Sequence, residues 1–207
     1  MKKGQIFVIF ALFFSFFSQV ANAQGNVAIL FGGSFPVGQL KDLDGMKADG
    51  ALFPGLEARF NENGRVSFGA SYQKWKLKQD PIQVSFPVSR NGNQEFVTWD
   101  ESASAKGNVM FATIYINLIT RGKVRPFVGG GPGVGMFRTS THIRNVMDVV
   151  PPFFEKAGDQ KISKKETRIM AKGIAGLNFY PAKHFVLSVS GGYINGPAVS
   201  LGIGTTF

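Results

Sequence analysis

Cysteine is absent from the 207 residues, which excludes disulfide bracing and thiolate chemistry. Histidine is almost absent. His142 and His184 stand far apart, and neither has a Ser and an acid in a triad-like order, so no catalytic residue, metal or cofactor is expected. Acids are scarce, 13 against 23 Lys and Arg, and the net charge is +10. A basic balance can signal nucleic acid. Here the cations are scattered over loops and turns, with no basic helix or stacking motif, so nucleic acid is not expected. Anionic lipid head groups are the more economical partner. Beyond the first twenty or so residues there is also no long apolar run, which excludes a spanning helix in the rest of the chain.

The N-terminus has the three parts of an export signal. Met1-Lys2-Lys3 is a positive start, Ile6 to Val20 is an apolar core rich in Phe, and Ala21-Asn22-Ala23 is an A-x-A cleavage site before Gln24. Residues 1–23 are expected to be a secretory signal peptide. Their apolar core falls short of the ~20 residues of a spanning helix, and no cysteine follows to accept a lipid. Residues 24–207 then form one domain. With 26 Gly and 21 Phe and no apolar helix, an exported chain points to a membrane β-barrel, because only helices and closed barrels satisfy every backbone polar group in a bilayer.

What is present is alternation. Val199, Leu201, Ile203, Thr205 and Phe207 share one face at the C-terminus, and Ser200, Gly202, Gly204 and Thr206 share the other. A period of two predicts a strand. The pattern recurs in eight segments: Val27 to Phe35, Leu52 to Phe60, Arg65 to Trp75, Val109 to Ile119, Val124 to Phe137, Thr167 to Phe179, Phe185 to Tyr193 and Ala198 to Phe207. Long and short connections alternate between them, as in outer-membrane barrels with short periplasmic turns and long outer loops. The fourth outer connection, Asn195-Gly196-Pro197, is the exception, being as short as a turn. The expected fold is all-β, an eight-stranded antiparallel up-and-down transmembrane barrel. Pro54, Pro126 and Pro132 fall inside strands, where a missing donor predicts local bulges.

One face of these strands is almost wholly apolar, with Lys74 its single charge. The other carries Glu57, Arg59, Arg65, Arg168 and Lys172 among Ser, Thr, Asn and Gln. The charged face has to be the lumen, since one Arg or Lys at mid-bilayer costs ~2–4 kcal/mol. Those five residues are the expected lumen charge cluster. The second and sixth strands are opposite in a ring of eight, so Glu57 can face Lys172 or Arg168. An interior of this width is just filled by side chains, which favours a plug over a narrow anion path.

Gly129 to Gly135 superficially resembles a phosphate loop but lacks the Gly-Lys-Ser/Thr ending and a following helix. Gly129, Gly131, Gly133 and Gly135 read instead as lumen positions leaving room for side chains from opposite strands. The long outer connections hold the contact candidates. Ile82, Val84, Phe86 and Val88 alternate before a turn at Arg90-Asn91-Gly92-Asn93, and Phe96, Val97 and Trp99 follow, which predicts a hairpin projecting beyond the membrane. Ile143, Val146, Met147 and Val150 have helical spacing and run into Pro151-Pro152-Phe153-Phe154. Phe86, Phe96, Trp99, Phe153 and Phe154 are candidates for contact with an extracellular ligand or host surface. Lys161, Lys164 and Lys165 are expected at the outer head-group level, facing lipopolysaccharide phosphates.

The signal peptide, the Val124-Arg125-Pro126-Phe127-Val128-Gly129-Gly130-Gly131 segment, the Gly176-Leu177-Asn178-Phe179-Tyr180-Pro181 segment and the terminal Phe207 together resemble the small eight-stranded outer-membrane barrels of the OmpA-like, OmpX-like and OmpW-like superfamily. The resemblance covers nearly all of the chain after residue 23. It implies a Gram-negative outer membrane, outer-membrane lipid and lipopolysaccharide as surroundings, and Phe207 as the signal read by the barrel-assembly machinery. Its functions are diverse, since this fold hosts structural, adhesive, transport and enzymatic members. A non-catalytic structural or surface-contact role is the leading expectation. A narrow porin-like passive channel for small or hydrophobic solutes, as in OmpW-like proteins, is the alternative. A lipid-modifying enzyme is a remote third, because the catalytic constellations of those barrels are not visible.

Overall fold

The computed structural model describes residues 26–37, 46–48, 52–90, 93–144 and 159–207. The signal peptide of the sequence reading, Phe153 and Phe154 lie outside these described residues. Ten strands follow in chain order: β1 (Val27–Pro36), β2 (Lys47–Ala48), β3 (Phe53–Phe60), β4 (Val66–Lys78), β5 (Ile82–Arg90), β6 (Asn93–Asn117), β7 (Val124–Arg144), β8 (Gln160–Ala182), β9 (Phe185–Ile194) and β10 (Pro197–Thr206). All pairings are antiparallel. Eight of the strands close a ring in the order β4-β3-β1-β10-β9-β8-β7-β6, with β6 returning to β4. Closure leaves the ring without an edge, which a barrel in lipid requires.

Turn chemistry sets the hairpins. Asn61 and Asn195 adopt left-handed φ values of 59° and 52°, a conformation Asn tolerates better than most residues. They start the β3–β4 and β9–β10 turns. The terminal strand seals the ring: the Phe207 amide donates to the Val27 carbonyl at 2.8 Å, and the Val27 amide returns a bond of 3.3 Å.

The strands run further outward than alternation predicts. β6 is 25 residues, β7 is 21 and β8 is 23, whereas β9 stops at Ile194 opposite Lys172. The rim is therefore low at β9–β10 and tall at β6–β8, where β5 adds a further strand along Asn93 to Glu101 of β6. The expected projecting hairpin is this β5–β6 pair. Ile143, read as helical, is a strand residue of β7 instead. It is buried against Val97 with Val88 and Trp99 packed on them, because the ladder between β6 and β7 continues to Arg144.

The expected bulges at proline are not found. Register is continuous through all three, and the one shift recorded in the β8–β9 ladder lies between Phe179 and Ala182. Each proline occupies a gap on one side of the ladder. Pro54 pairs with Gly33 of β1, but the β3–β4 ladder begins only at Gly55. Pro126 precedes the first β6–β7 pair, Asn117 with Phe127, and Pro132 lies where that ladder skips from Phe111–Gly133 to Ile114–Gly130. A missing amide donor costs nothing where no acceptor awaits it.

The alternation resolves into two surfaces. Phe31, Leu56, Tyr72, Ile114, Ile116, Val134, Ile169, Leu177, Val189, Leu201 and Ile203 face outward and are exposed, an apolar belt suited to lipid. Inward lie Trp75, Tyr115, Phe53, Phe127, Leu77 and Val109, almost fully buried, together with the charged residues. The lumen is thus a core with two halves, one aromatic and one polar.

Candidate functional site

The polar half centres on Glu57. It sits on the inward face of β3, four strands around the ring from β8, so the opposed residue is Lys172. The ammonium of Lys172 donates to Glu57 Oε2 at 3.1 Å and to the Tyr115 hydroxyl at 3.2 Å. Tyr115 donates to Glu57 Oε1 at 2.7 Å. Arg59, two residues along the same face, pairs with Glu57 through its Nε. Its other nitrogens donate to Asn178 Oδ1 at 3.0 Å and Ser188 Oγ at 3.3 Å. The guanidinium also lies over the Tyr115 ring, 4.4 Å from its centroid. Each buried charge here is both paired and hydrogen-bonded, the condition under which burial is tolerated.

Of the five expected cluster members, the structure brings together Glu57, Arg59 and Lys172. Arg168 does not reach Glu57. It pairs with Glu166 on its own strand at 2.7 Å, because it lies four residues closer to the outer end of β8 than Lys172. Arg65 is exposed in the β3–β4 turn, since β4 begins one residue later. Sequence reasoning missed Glu62, Tyr115 and Tyr180; Asn178 was expected on the lumen face but not as part of the cluster. Glu62 comes from a turn that folds back under the lumen. Its Oε1 accepts from Asn178 Nδ2 at 2.8 Å and from the Tyr180 hydroxyl, with Arg59 Nη1 at 3.9 Å. Asn117 ties the same turn down through the Glu62 and Gly64 carbonyls, at 3.1 and 2.7 Å.

Glu62 Oε2 is buried without a hydrogen-bond partner. Burial pushes the Glu62 carboxyl above its ordinary value of 4.5, against the pull of Arg59. The folded state therefore holds this proton more tightly than the unfolded chain. The resulting stability is fully present below the ordinary value and declines as pH rises through the raised one. Urea unfolding of the barrel at a series of pH values should show that decline, and Glu62→Gln should flatten it. An equal slope in both proteins would exclude Glu62 as its source.

The aromatic half is built on glycine. Tyr115 of β6 lies between Gly69 of β4 and Gly129 of β7. A Cβ on either glycine would stand 2.7 or 2.6 Å from its ring. Phe111 covers Gly133 in the same way, and Phe137 covers Gly107 and Gly135. Gly129 and Gly133 thus make room for rings of the adjacent β6, and Gly135 for Phe137 of its own strand, rather than for side chains of opposite strands as expected from sequence. Phe53 and Trp75 stack at 4.5 Å, Tyr115 meets Phe127 edge-on at 5.6 Å, and Trp75 meets Phe137 at 6.1 Å. A cavity of about 50 Å³ remains beside Glu57, Arg59 and Lys172, room for a water or two.

The outer contact candidates divide between two faces. Phe86 is opposite Val97 and Val84 is opposite Trp99, so Phe86 and Trp99 share the face that continues the lumen. Phe96 is opposite Pro87 on the reverse face and is 69% exposed. The expected lysines divide likewise. Lys161 and Lys165 alternate with Lys164, which pairs with Glu166 at 3.0 Å. Phe207 ends the sealing strand with its side chain exposed.

No family model matches the chain, and no curated protein matches it. Solved structures do. The N-terminal β-barrel domain of Pseudomonas aeruginosa OprF aligns at 16% identity and a TM-score of 0.47, covering 88% of this chain and 97% of that one. Ail, the attachment invasion locus protein of Yersinia pestis, in complex with the heparin analogue sucrose octasulfate, aligns at 18% identity and a TM-score of 0.41, with the same coverages. Neisserial surface protein A aligns at 12% identity and a TM-score of 0.38, covering 88% and 95%. By its own ring of strands, apolar belt and filled lumen, the chain is an eight-stranded antiparallel β-barrel, similar in architecture to small outer-membrane barrels.

Proposed function

We propose that the chain is an integral outer-membrane protein of a Gram-negative bacterium, exported through a cleaved leader of residues 1–23. Its role is structural or one of surface contact, without catalysis. The observation that supports this most is the pairing of an apolar outward belt with a lumen filled by aromatic rings and by the Glu57–Arg59–Lys172 charge network. A filled lumen leaves the outer sheet of β5 to β8 as the part that meets other molecules, with Phe86 and Trp99 on one face and Phe96 on the other. Phe207 is offered to the assembly machinery from the sealing strand. The histidines support the non-catalytic reading. His142 lies in the outer part of β7, and His184 in the β8–β9 turn holds the Thr206 carbonyl at 3.0 Å.

The competing reading is a narrow passive channel. It is favoured only by the small cavity beside Lys172. Planar-bilayer recording of the full-length protein purified from membranes decides between them. A silent bilayer, with folding shown by a heat-dependent gel shift, is expected. Discrete openings whose ion selectivity changes in Lys172→Glu would make the lumen a pathway.

A further inference from the structure

The tall wall carries an arrangement that alternation along single strands does not reveal. The registers place Lys76 opposite Lys106, Lys106 opposite Arg138, and Arg138 opposite Lys165. Four cations therefore stand in one row across β4, β6, β7 and β8. All four are exposed, and all have the outward parity of the apolar belt. Directly opposed residues in such a ladder are about 5 Å apart, and like charges so placed destabilise a sheet. Lys106, Arg138 and Lys165 alone make two successive like-charge pairs, a cost to the fold that a dense array of negative charge relieves.

The position of the row says where that charge comes from. The last apolar row of the same wall is Tyr72, Met110, Val134 and Ile169, again in direct register. The cations lie four residues further out, about 13 Å along a strand and about 10 Å in height for a strand tilted ~40°. They point away from the barrel axis, toward the surrounding lipid rather than over the mouth. The next row outward includes Ser140 and Ser163, whose hydroxyls are 3.1 Å apart and can donate to the same oxygens. Glu166, adjacent in sequence, belongs to the other face, where Arg168 and Lys164 hold it.

We infer that this row is a binding site for the phosphorylated saccharide headgroup of a membrane-anchored glycolipid, held beside the tall wall. The site rests on the outer-membrane reading above and adds its ligand. Phosphates on adjacent sugars supply closely spaced negative charge, and acyl chains below them lie along the Tyr72–Ile169 row. The barrel thereby gains a fixed lipid on one side only, since the low β9–β10 wall ends before this height.

The test uses full-length protein from membranes, reconstituted in phosphatidylcholine vesicles with or without diphosphoryl lipid A, and reads the midpoint of the heat-dependent gel shift. Wild type should gain about 5 °C or more from diphosphoryl lipid A, less from the monophosphoryl form, and less at high salt. The variant K76Q/K106Q/R138Q/K165Q should lose the gain while matching or exceeding wild type in phosphatidylcholine alone, because its like-charge row is gone. K123Q/K183Q, at the other end of the barrel, should keep the gain. An equal gain in the row variant would overturn the site. A larger gain from a soluble polysulfated saccharide than from lipid A would overturn the lipid assignment. Absence of any heat-dependent shift in wild type would instead contradict the barrel reading itself.

Discussion

Glu57→Ala should cost the barrel about 3–5 kcal/mol, the range for stripping one partner from a buried ion pair. Lys172 and Arg59 both pair with this carboxylate, and their side chains are 3% and 5% exposed. Without it, Lys172 keeps only the Tyr115 hydroxyl, whose proton loses its acceptor. Two cations are then left facing each other across a lumen with room for only a water or two. The measurement is urea unfolding of the reconstituted barrel, followed by the gel shift. A double variant, Glu57→Met with Lys172→Met, should recover part of the loss, because it removes one of the two unmatched cations and leaves Arg59 with Glu62, Asn178 and Ser188. A coupling of about 1–3 kcal/mol between the two sites is expected. Strict additivity would mean that the pair does not act as a unit.

Gly129→Val should be nearly as damaging, at about 3 kcal/mol, the upper end for overpacking a filled interior. Its Cβ would stand 2.6 Å from the Tyr115 ring. That ring cannot retreat toward β4, because the far side already rests on Gly69. Displacing it also breaks the hydroxyl bonds to Glu57 and Lys172. Gly173→Val is the control. It lies on the outward face of the neighbouring strand with open space around its Cβ position. A valine there adds apolar surface toward lipid and a residue suited to strands, so stability should be unchanged or raised. Equal losses in both would mean that glycine itself, rather than the ring it accommodates, is needed along this wall.

Much of the architecture was legible in the residues. Alternation gave all eight ring strands, because a barrel with lipid outside forbids charge on one face. The opposition of Glu57 and Lys172 followed from counting strands around the ring. Three things were not legible, each for a physical reason. Val109, Phe111 and Tyr115 share the inward face of Thr113 and Asn117, a division the period of two gives, but a segment apolar on both faces such as Val109-Met110-Phe111-Ala112 does not say that its inner residues pack as a core. The clue was Gly129, Gly131, Gly133 and Gly135 on one face, since a strand so empty implies bulky neighbours in register. Glu62 was hidden because a turn residue reads as solvated, and its inward path depends on Asn117 holding the turn. The cation row was hidden because its members are 30, 32 and 27 positions apart in sequence. Only cross-strand register joins them.

The absence of cysteine makes the most direct test clean, since every introduced thiol is unique. Single cysteines placed in turn at 199 to 205 of β10 can carry a spin label, and its collisions with lipid-soluble oxygen and with a water-soluble nickel chelate can be read in vesicles. Labels at Val199→Cys, Leu201→Cys and Ile203→Cys should show high oxygen and low nickel access, and those at Ser200→Cys, Gly202→Cys and Gly204→Cys low access to both. Oxygen access that peaks at 200, 202 and 204, or that shows no period of two, would contradict a barrel with lipid outside and a filled lumen within.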